Sequence, residues 1–230
     1  MTSDGAATRR NGHEERVLSV NVGGIREVSH NGSPVPTGIY KHPVDGPVAV
    51  DATGLAGDEQ ADLSVHGGAD KAVYLYSHED YLYWAQELGR ALAPGELGEN
   101  LTVTGLTCDV VRIGDRLRVG GALLEVSVPR EPCFKLGIRM GDKRFVARFR
   151  ESGRTGFYTR VVEPGAVQVG DAVSLVETDP ASPTVRDVHD AYVGGRDDAA
   201  LMLRMAAVPR LATGWQEWMA RRAEEAAQAG

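Results

Sequence analysis

The sequence predicts a β-rich α+β fold, in which a strand-rich body with short helices is followed by a small three-helix domain. Two observations carry this prediction. β-Branched runs of strand length, separated by glycine turns, recur up to about residue 177. Beyond the linker-like stretch TDPASP at 178–183, only patterns of helical spacing remain. We therefore divide the chain into a flexible polar tail over 1–16, a body over 17–178 and a three-helix domain over 184–227.

The strands of the body are predicted from β-branched segments bounded by turn residues. They cover Arg16 to Val22, Pro47 to Val50, Ala72 to Tyr76, two strands joined at Gly120-Gly121, and Gly156 to Val162. The Pro- and Gly-rich stretch 31–47 and the polar stretch 51–62 are predicted to be loops.

Helix starts are predicted from capping residues. Ser77, with Asp80 three residues further on, fits a capping box, and Gly89 is the predicted stop of that helix. Short helical patterns lie between Cys133 and Glu151. Among the C-terminal helices, the first is predicted to be capped by Thr184 and Asp187, the second to begin at Asp197-Asp198, and the third to be capped by Thr213.

The composition excludes several classes of protein. In 230 residues, 32 acidic side chains outnumber 25 basic ones, for a net charge of −7, which is a poor surface for a nucleic-acid polymer. No apolar run is long enough for a transmembrane helix, and the polar N-terminus lacks the core of a secretory signal. Cys108 and Cys133 are too few for a disulfide framework or a four-cysteine metal site. We expect a cytoplasmic protein with reduced thiols and no membrane partner.

The stretch VHGGADK at 65–71 is the first candidate binding segment. Adjacent glycines at Gly67 and Gly68 let the backbone approach a ligand, and successive N–H groups there can bind an anion. His66 and Lys71 would add donors. The alternative is a tight turn with an exposed histidine.

The stretch PGELGENL at 94–101 places Asn100 just before a predicted strand. A side-chain amide in that position can bind the edge of a heterocycle through both its donor and its acceptor. The alternative is a loop asparagine that caps its own backbone.

The stretch VPREPCFKLG at 128–137 contains Cys133 between Arg130 and Lys135. Positive neighbours favour the thiolate, which is both the nucleophile and the metal ligand. The alternative is an inert buried cysteine. Cys108, beside Asp109 and without a nearby cation, is interpreted as structural.

The stretch RFRESGRTGFY at 148–158 clusters Arg148, Arg150 and Arg154 around Gly153 and Gly156. Planar guanidinium groups suit the recognition of a phosphate or a pterin. The alternative is a solvated charged turn. The chain has no P-loop, no dinucleotide fingerprint, no nucleophile elbow and no zinc-type pairing of histidines.

Together these stretches resemble MOSC domains, and specifically their YiiM-like branch. HGGADK, GELGEN, PREPCFKL and ESGRTGFYTRVVEPGAVQVGD follow one another in the order of that family, and the segment from TVRDVHDAY to GWQEWM resembles its C-terminal three-helix domain. The similarity runs from about Val17 to about Met219. The combination of motifs is specific, although each one alone would be weak.

The resemblance implies a MOSC-type β-barrel-like body that binds the molybdenum cofactor (Mo-molybdopterin), with Cys133 as the sulfur ligand of molybdenum and the catalytic residue. It places the residues of the four stretches around the cofactor: His66, Gly67, Gly68, Lys71, Asn100, Arg130, Lys135, Arg148, Arg154 and Gly156.

The activity implied by the resemblance is reduction of N-hydroxylated compounds, such as 6-hydroxylaminopurine and related base analogues, from R–NHOH to R–NH2. Because the chain shows no flavin or nicotinamide motif, electrons would come from a separate flavoprotein or other reductase.

Two other functions remain open. One alternative is a cofactor carrier or sulfur-transfer module that uses Cys133, although the chain has no pyridoxal-phosphate domain of its own. Another is a non-catalytic thiol-sensing domain. The three helices could cover the pocket, bind the electron donor or form a homodimer.

Overall fold

The structure, a computed structural model, describes residues 14–61 and 68–229. The strands, in chain order, are β1 (Val17–Val22), β2 (Arg26–His30), β3 (Ser33–Thr37), β4 (His42–Pro43), β5 (Val48–Asp51), β6 (Gly54–Leu55), β7 (Val73–Ser77), β8 (Leu101–Val103), β9 (Arg116–Val119), β10 (Ala122–Pro129), β11 (Phe157–Glu163), β12 (Gly165–Val167) and β13 (Val173–Glu177). Within the described residues, eight of them form one sheet in the order β13-β9-β10-β11-β7-β8-β1-β4. Its pairs are antiparallel except β7 with β8. The β-rich α+β prediction is therefore confirmed.

The main sheet curls until its ends meet near β1. Arg16 pairs with Ala172 in an isolated bridge. The amide of Val17 donates to the Asp171 carbonyl at 2.9 Å, and that of Val173 donates to the Glu15 carbonyl at 2.8 Å. In the part of the chain that the structure describes, these bonds do not extend into a full ladder, so the body resembles a barrel without being a closed one.

The segment 31–47, predicted to be a loop, instead contains strand β3 and the short strand β4. β2 and β3 pair as a hairpin around Asn31-Gly32, and both turn residues have positive φ, 52° and 81°. Asn-Gly is the strongest short signal for such a turn, and two prolines in β3 obscured it. The hairpin projects beside the site described below.

The helices are α1 (His78–Leu88), α2 (Phe134–Met140), α3 (Phe145–Glu151), α4 (Val185–Gly194), α5 (Ala199–Ala206) and α6 (Thr213–Ala229). Three of the predicted caps are confirmed. The Ser77 hydroxyl accepts from the Asp80 amide, Thr184 and Asp187 form a full capping box, and the Asp198 carboxylate accepts from the Leu201 amide. Gly89 ends α1 in the left-handed conformation. Thr213 is the first residue of α6 rather than a cap before it.

One hydrophobic core joins the sheet to the C-terminal helices. Fully buried residues of α4, α5 and α6, such as Val188, Met202 and Met219, belong to the same cluster as Leu124 of β10. A second, aromatic cluster packs α1 and α3 against β7 and includes Trp84. None of the helices in the described residues is long and apolar enough to cross a membrane.

Candidate functional site

Cys133 lies where the longest strand of the sheet turns into a short helix. β10 ends at Pro129, and the chain then passes through Arg130 and Pro132 to Cys133, the residue before α2. The Cys133 side chain is partly exposed and faces a pocket with about 580 Å³ of empty space, some of it open to solvent.

Six parts of the chain line this pocket. The lining residues come from the end of β3 and the segment after it, the segment after β6, strand β7, the approach to β8, the Cys133 stretch, and β11: Thr37, Gly38, Ile39, Lys41, Glu59, Gln60, Ala61, Tyr74, Gly98, Asn100, Arg130, Cys133, Lys135 and Tyr158. The structure thus brings together four of the predicted residues, Asn100, Arg130, Cys133 and Lys135.

Arg130 carries a buried and incompletely paired charge. It is 5% exposed, and its Nε and Nη1 atoms have no hydrogen-bond partner among the described residues. The guanidinium carbon lies 5.3 Å from the centroid of the Tyr74 ring and 5.6 Å from that of Phe149. Since aromatic faces offer only part of the stabilisation that a buried cation needs, this arrangement suits an anionic ligand.

Tyr158 and Lys135 add polar groups to the same wall. Burial raises the pKa of Tyr158, with the neighbouring Arg130 charge opposing the shift, so the phenol keeps its proton at neutral pH. Lys135 is half-buried at the start of α2 and forms no ion pair within the described residues. The pocket can therefore offer a proton-bearing phenol and two cationic groups to one ligand.

A third cation of the pocket, Lys41, is neutralised by an ion pair. Its ammonium pairs with the Asp58 carboxylate, whose Oδ1 also accepts from the Gly23 amide at 3.0 Å. Burial lowers the pKa of Lys41, and the Asp58 charge opposes this. Lys41 contributes to the wall as half of a buried pair rather than as a free charge.

Asn100 lines the pocket, but its side-chain amide is engaged in hydrogen bonds to other parts of the protein. Its Oδ1 accepts from the Tyr74 amide at 3.0 Å, and its Nδ2 donates to Asp58 Oδ2 at 2.9 Å. The side chain thus fastens β7 to the Asp58 segment, and these partners are distant in the chain, unlike the capping of its own backbone given as the alternative for this residue. Its contribution to a ligand would be indirect.

The Gly-rich stretch is described only in part. His66 and Gly67 lie outside the described residues. Gly68, with φ of 92°, precedes a 3₁₀ turn over Ala69–Lys71. Burial lowers the pKa of Lys71, and Asp70 opposes the shift. Neither Gly68 nor Lys71 is among the residues that line the pocket.

The arginine-rich stretch is not brought into the pocket either. Arg148 lies 3.6 Å from the Glu87 carboxylate, and Arg154 donates to Asp80 at 2.6 Å, both near α1. Gly156 has a packing role, because a Cβ there would lie 2.5 Å from the Leu75 carbonyl oxygen. None of these three residues lines the pocket, and Gly156 packs directly against β7, the strand that carries Tyr74.

Sequence reasoning missed Lys41, Asp58, Tyr74 and Tyr158. Lys41 and Asp58 come from segments interpreted as loops, and their pairing depends on the course of those loops. The two tyrosines lie within predicted strands. Because successive side chains of a strand point to opposite faces of the sheet, the sequence alone does not show whether a given tyrosine faces a cavity.

Comparison with known families divides the chain in two. Residues 62–174 match the MOSC domain, and residues 183–226 match the YiiM-like three-α-helix domain. The two matches adjoin across the stretch that separates the body from the C-terminal helices.

Among curated proteins, YflK of Bacillus subtilis is 41% identical over 180 residues, covering 76% of this chain and 81% of YflK. YiiM of Escherichia coli is 41% identical over 145 residues, which is 61% of this chain and 64% of YiiM. A protein of Gibberella moniliformis named reductase is 40% identical over 167 residues, or 70% of this chain but 29% of that longer protein.

Solved structures agree with the sequence matches. The crystal structure of YiiM from Geobacillus stearothermophilus superposes with a TM-score of 0.77 at 33% identity, covering 91% of this chain and 99% of that one. The structure of YiiM from Escherichia coli gives a TM-score of 0.72 at 28% identity, over 91% and 93%.

Proposed function

Since this chain belongs to the MOSC domain proteins that carry a YiiM-like three-helix domain, we propose that it is a molybdenum-cofactor-dependent reductase of N-hydroxylated compounds. Its proposed substrates are base analogues such as 6-hydroxylaminopurine. In this reaction, R–NHOH takes up two electrons and two protons and yields R–NH2 and water. The observation that carries the proposal is the pairing, in one pocket, of the accessible Cys133 thiol with the unsatisfied guanidinium of Arg130.

The residues of the pocket fit such a cofactor. A thiolate is a suitable ligand for a soft metal centre. The orphaned Nε and Nη1 atoms of Arg130 require an anionic or strongly accepting partner, because a buried donor without one destabilises the fold. A pterin carrying a phosphate supplies acceptors of that kind, and Lys135 lies on the same wall.

Each group has a distinct part in holding the cofactor. Cys133 would bind the metal through Sγ, Arg130 and Lys135 would bind the anionic part, and the Tyr158 phenol would donate a hydrogen bond. When bound, the cofactor supplies the two-electron chemistry that these side chains lack. The Lys41–Asp58 pair and Asn100 would keep the wall rigid, so that the binding groups are fixed before the ligand arrives.

The electrons would come from a separate protein. The sequence contains no flavin or nicotinamide fingerprint. The Gibberella moniliformis protein named reductase has most of its length outside the matched region. We therefore expect turnover to require an added electron donor, such as a flavoprotein reductase.

The test is metal analysis of protein from cells that make the molybdenum cofactor. Wild type is compared with Cys133→Ala, Cys133→Ser and the matched control Cys108→Ala. Cys108 is buried, and this burial raises its pKa to about 12, so its thiol is inert. We expect near-stoichiometric molybdenum in wild type and Cys108→Ala, and loss of most of it in both Cys133 variants.

Reductase assays with a chemical or enzymatic electron donor then separate the two candidate activities. Turnover of 6-hydroxylaminopurine that Cys133→Ala lacks would support the reductase. Tight molybdenum binding with no turnover, or a persulfide on Cys133, would support a carrier or sulfur-transfer role. Failure of wild type to load added cofactor would contradict both the reductase and the cofactor carrier, and would leave only sulfur transfer through a Cys133 persulfide.

A further inference from the structure

A second cleft meets the first at Cys133. It lies between the β2–β3 hairpin and the α2–α3 helices, and Cys133 lines both it and the pocket that contains Arg130. A group held by the Cys133 sulfur would therefore be accessible from two sides. The two sides differ in polarity and charge, and this difference suggests that they bind different ligands.

The second cleft is aromatic and apolar close to Cys133. Phe134, the next residue, is 47% exposed, and it is the one phenylalanine among the large apolar side chains that the described residues expose. Its ring lies 4.9 Å from that of His30, at an angle of 37°. Ile138 and Val146 line the same cleft. Phe134, Ile138 and Val146 together give the cleft an apolar surface of the kind that marks a ligand-binding groove.

Two cations line the second cleft, Lys143 and Arg150, and the charge of Arg150, the one that contacts the Cys133 stretch, is compensated. Arg150, which lines the cleft, pairs with the Glu131 carboxylate and donates to the Pro132 carbonyl at 3.4 Å. The first pocket, in contrast, contains the unsatisfied Arg130. An anionic ligand is thus better bound on the Arg130 side, and a neutral flat ring on the Phe134 side.

We infer that the second cleft is the binding site for the substrate, and that it selects a planar aromatic ring, which stacks on Phe134 beside His30. The inference rests on the proposed function for the chemistry at Cys133, but the binding of a ring in this cleft does not depend on any metal. The β2–β3 hairpin would set the ring specificity, because it supplies His30 to one cleft and leads into Thr37 and Ile39 of the other.

The experiment measures binding of adenine, which cannot be reduced at an N–O bond, by calorimetry. Both cofactor-free and molybdenum-loaded protein are titrated. Base-on-aromatic stacking predicts that Phe134→Ala weakens adenine binding by about tenfold, whereas Phe134→Trp binds at least as well as wild type. Leu82→Ala removes another exposed apolar side chain, 54% exposed on α1 and outside both clefts, and is expected to bind like wild type.

A kinetic measurement separates this inference from the proposed function. In loaded protein, Phe134→Ala should raise KM for 6-hydroxylaminopurine by about tenfold, and leave KM for a small aliphatic hydroxylamine and the molybdenum content unchanged. Equal effects on both substrates, or unchanged adenine binding by Phe134→Ala, would overturn the inference. So would lack of adenine binding by both forms of wild type. A third outcome is adenine binding that depends on Phe134 in a protein that cannot be loaded with molybdenum and shows no turnover. That outcome would support the ring-binding site in the second cleft and contradict the proposed reductase activity.

Discussion

Lys41 and Asp58 form an ion pair in the wall of the pocket that Cys133 lines, with their side chains only 8% and 4% exposed. A buried pair of this kind is held by mutual compensation, since each charge alone would be strongly destabilising. Asp58 also accepts a hydrogen bond from the Asn100 amide, which in turn accepts one from Tyr74 of β7. The ion pair therefore helps to hold β7 in position beside the pocket.

Replacing Asp58 by Asn should therefore leave a buried cation without its partner. We expect the free energy of unfolding to fall by about 3 kcal/mol, measured by urea denaturation. The double variant Lys41→Met/Asp58→Asn removes both charges and should recover part of that loss. A double variant less stable than either single one would contradict the idea that the charges compensate each other.

Gly156 provides a test of whether the arginine-rich stretch acts through packing. Its φ of 69° is close to the 67° of Gly141, but a Cβ at Gly141 meets nothing within 4 Å, whereas one at Gly156 meets the Leu75 carbonyl. Both alanine variants carry the strain of a left-handed residue, about 1–2 kcal/mol. Gly156→Ala should cost at least about 2 kcal/mol more than Gly141→Ala because the backbone must shift.

The readout for this pair is the midpoint of denaturant unfolding, followed by molybdenum content per folded molecule. A packing role for Gly156 predicts reduced stability and unchanged molybdenum in the folded fraction. Equal stabilities of the two variants would mean that β7 and β11 can shift near Leu75 to accommodate the added methyl group without loss of stability.

The local elements of the fold were predictable because their signals lie within a few residues of one another. The Ser77 cap and the Gly89 stop are of this kind, and so is the Gly120-Gly121 hairpin. The β2–β3 hairpin was missed even though Asn31-Gly32 marked it, since Pro34 and Pro36 argue against a strand unless it lies at an edge. Among the described strands, β3 pairs with β2 alone, so it lies at an edge.

The candidate site was predictable where one stretch carries several groups, as with Arg130, Cys133 and Lys135. It was not predictable where distant loops meet, as with Lys41 and Asp58, because no local pattern encodes that contact. Asn100 shows a further difficulty. Its position at the pocket was anticipated, but its hydrogen bonds to Tyr74 and Asp58 belong to the fold.

His189 should make stability depend on pH. Its ring is 2% exposed, its Nε2 donates to the Arg150 carbonyl at 2.8 Å, and burial lowers its pKa below the ordinary 6.5. As pH falls below 6.5, the unfolded chain therefore binds a proton that the folded protein resists. The folded state then loses up to about 1.4 kcal/mol of stability per pH unit.

The measurement is the difference in unfolding free energy between wild type and His189→Gln at pH 7.5, 6.5 and 5.5. This difference isolates His189, because buried Glu99, whose pKa is raised by burial, is common to both proteins and contributes the opposite slope. Wild type should lose stability relative to the variant as pH falls. Parallel curves for the two proteins would show that His189 is protonated as easily in the folded state as in the unfolded one.

The C-terminal helices should unfold together with the body, since they share its core. The Ala212 amide donates to the Ser127 carbonyl of β10 at 3.0 Å, and Met202 of α5 is fully buried in the common cluster. Met202→Ala should therefore destabilise the whole protein, by about 2–5 kcal/mol, and not the helices alone.

The measurement follows tryptophan fluorescence separately in the two parts of the chain. Trp84→Phe leaves fluorescence from Trp215 and Trp218 in α6, whereas Trp215→Phe/Trp218→Phe leaves Trp84 in the body. In both tryptophan backgrounds, Met202→Ala should shift one and the same denaturation midpoint, because separating the C-terminal helices from the sheet exposes apolar surface on both sides. A shift confined to the α6 signal would mean that the helices form an independent unit whose contact with the sheet contributes little to stability.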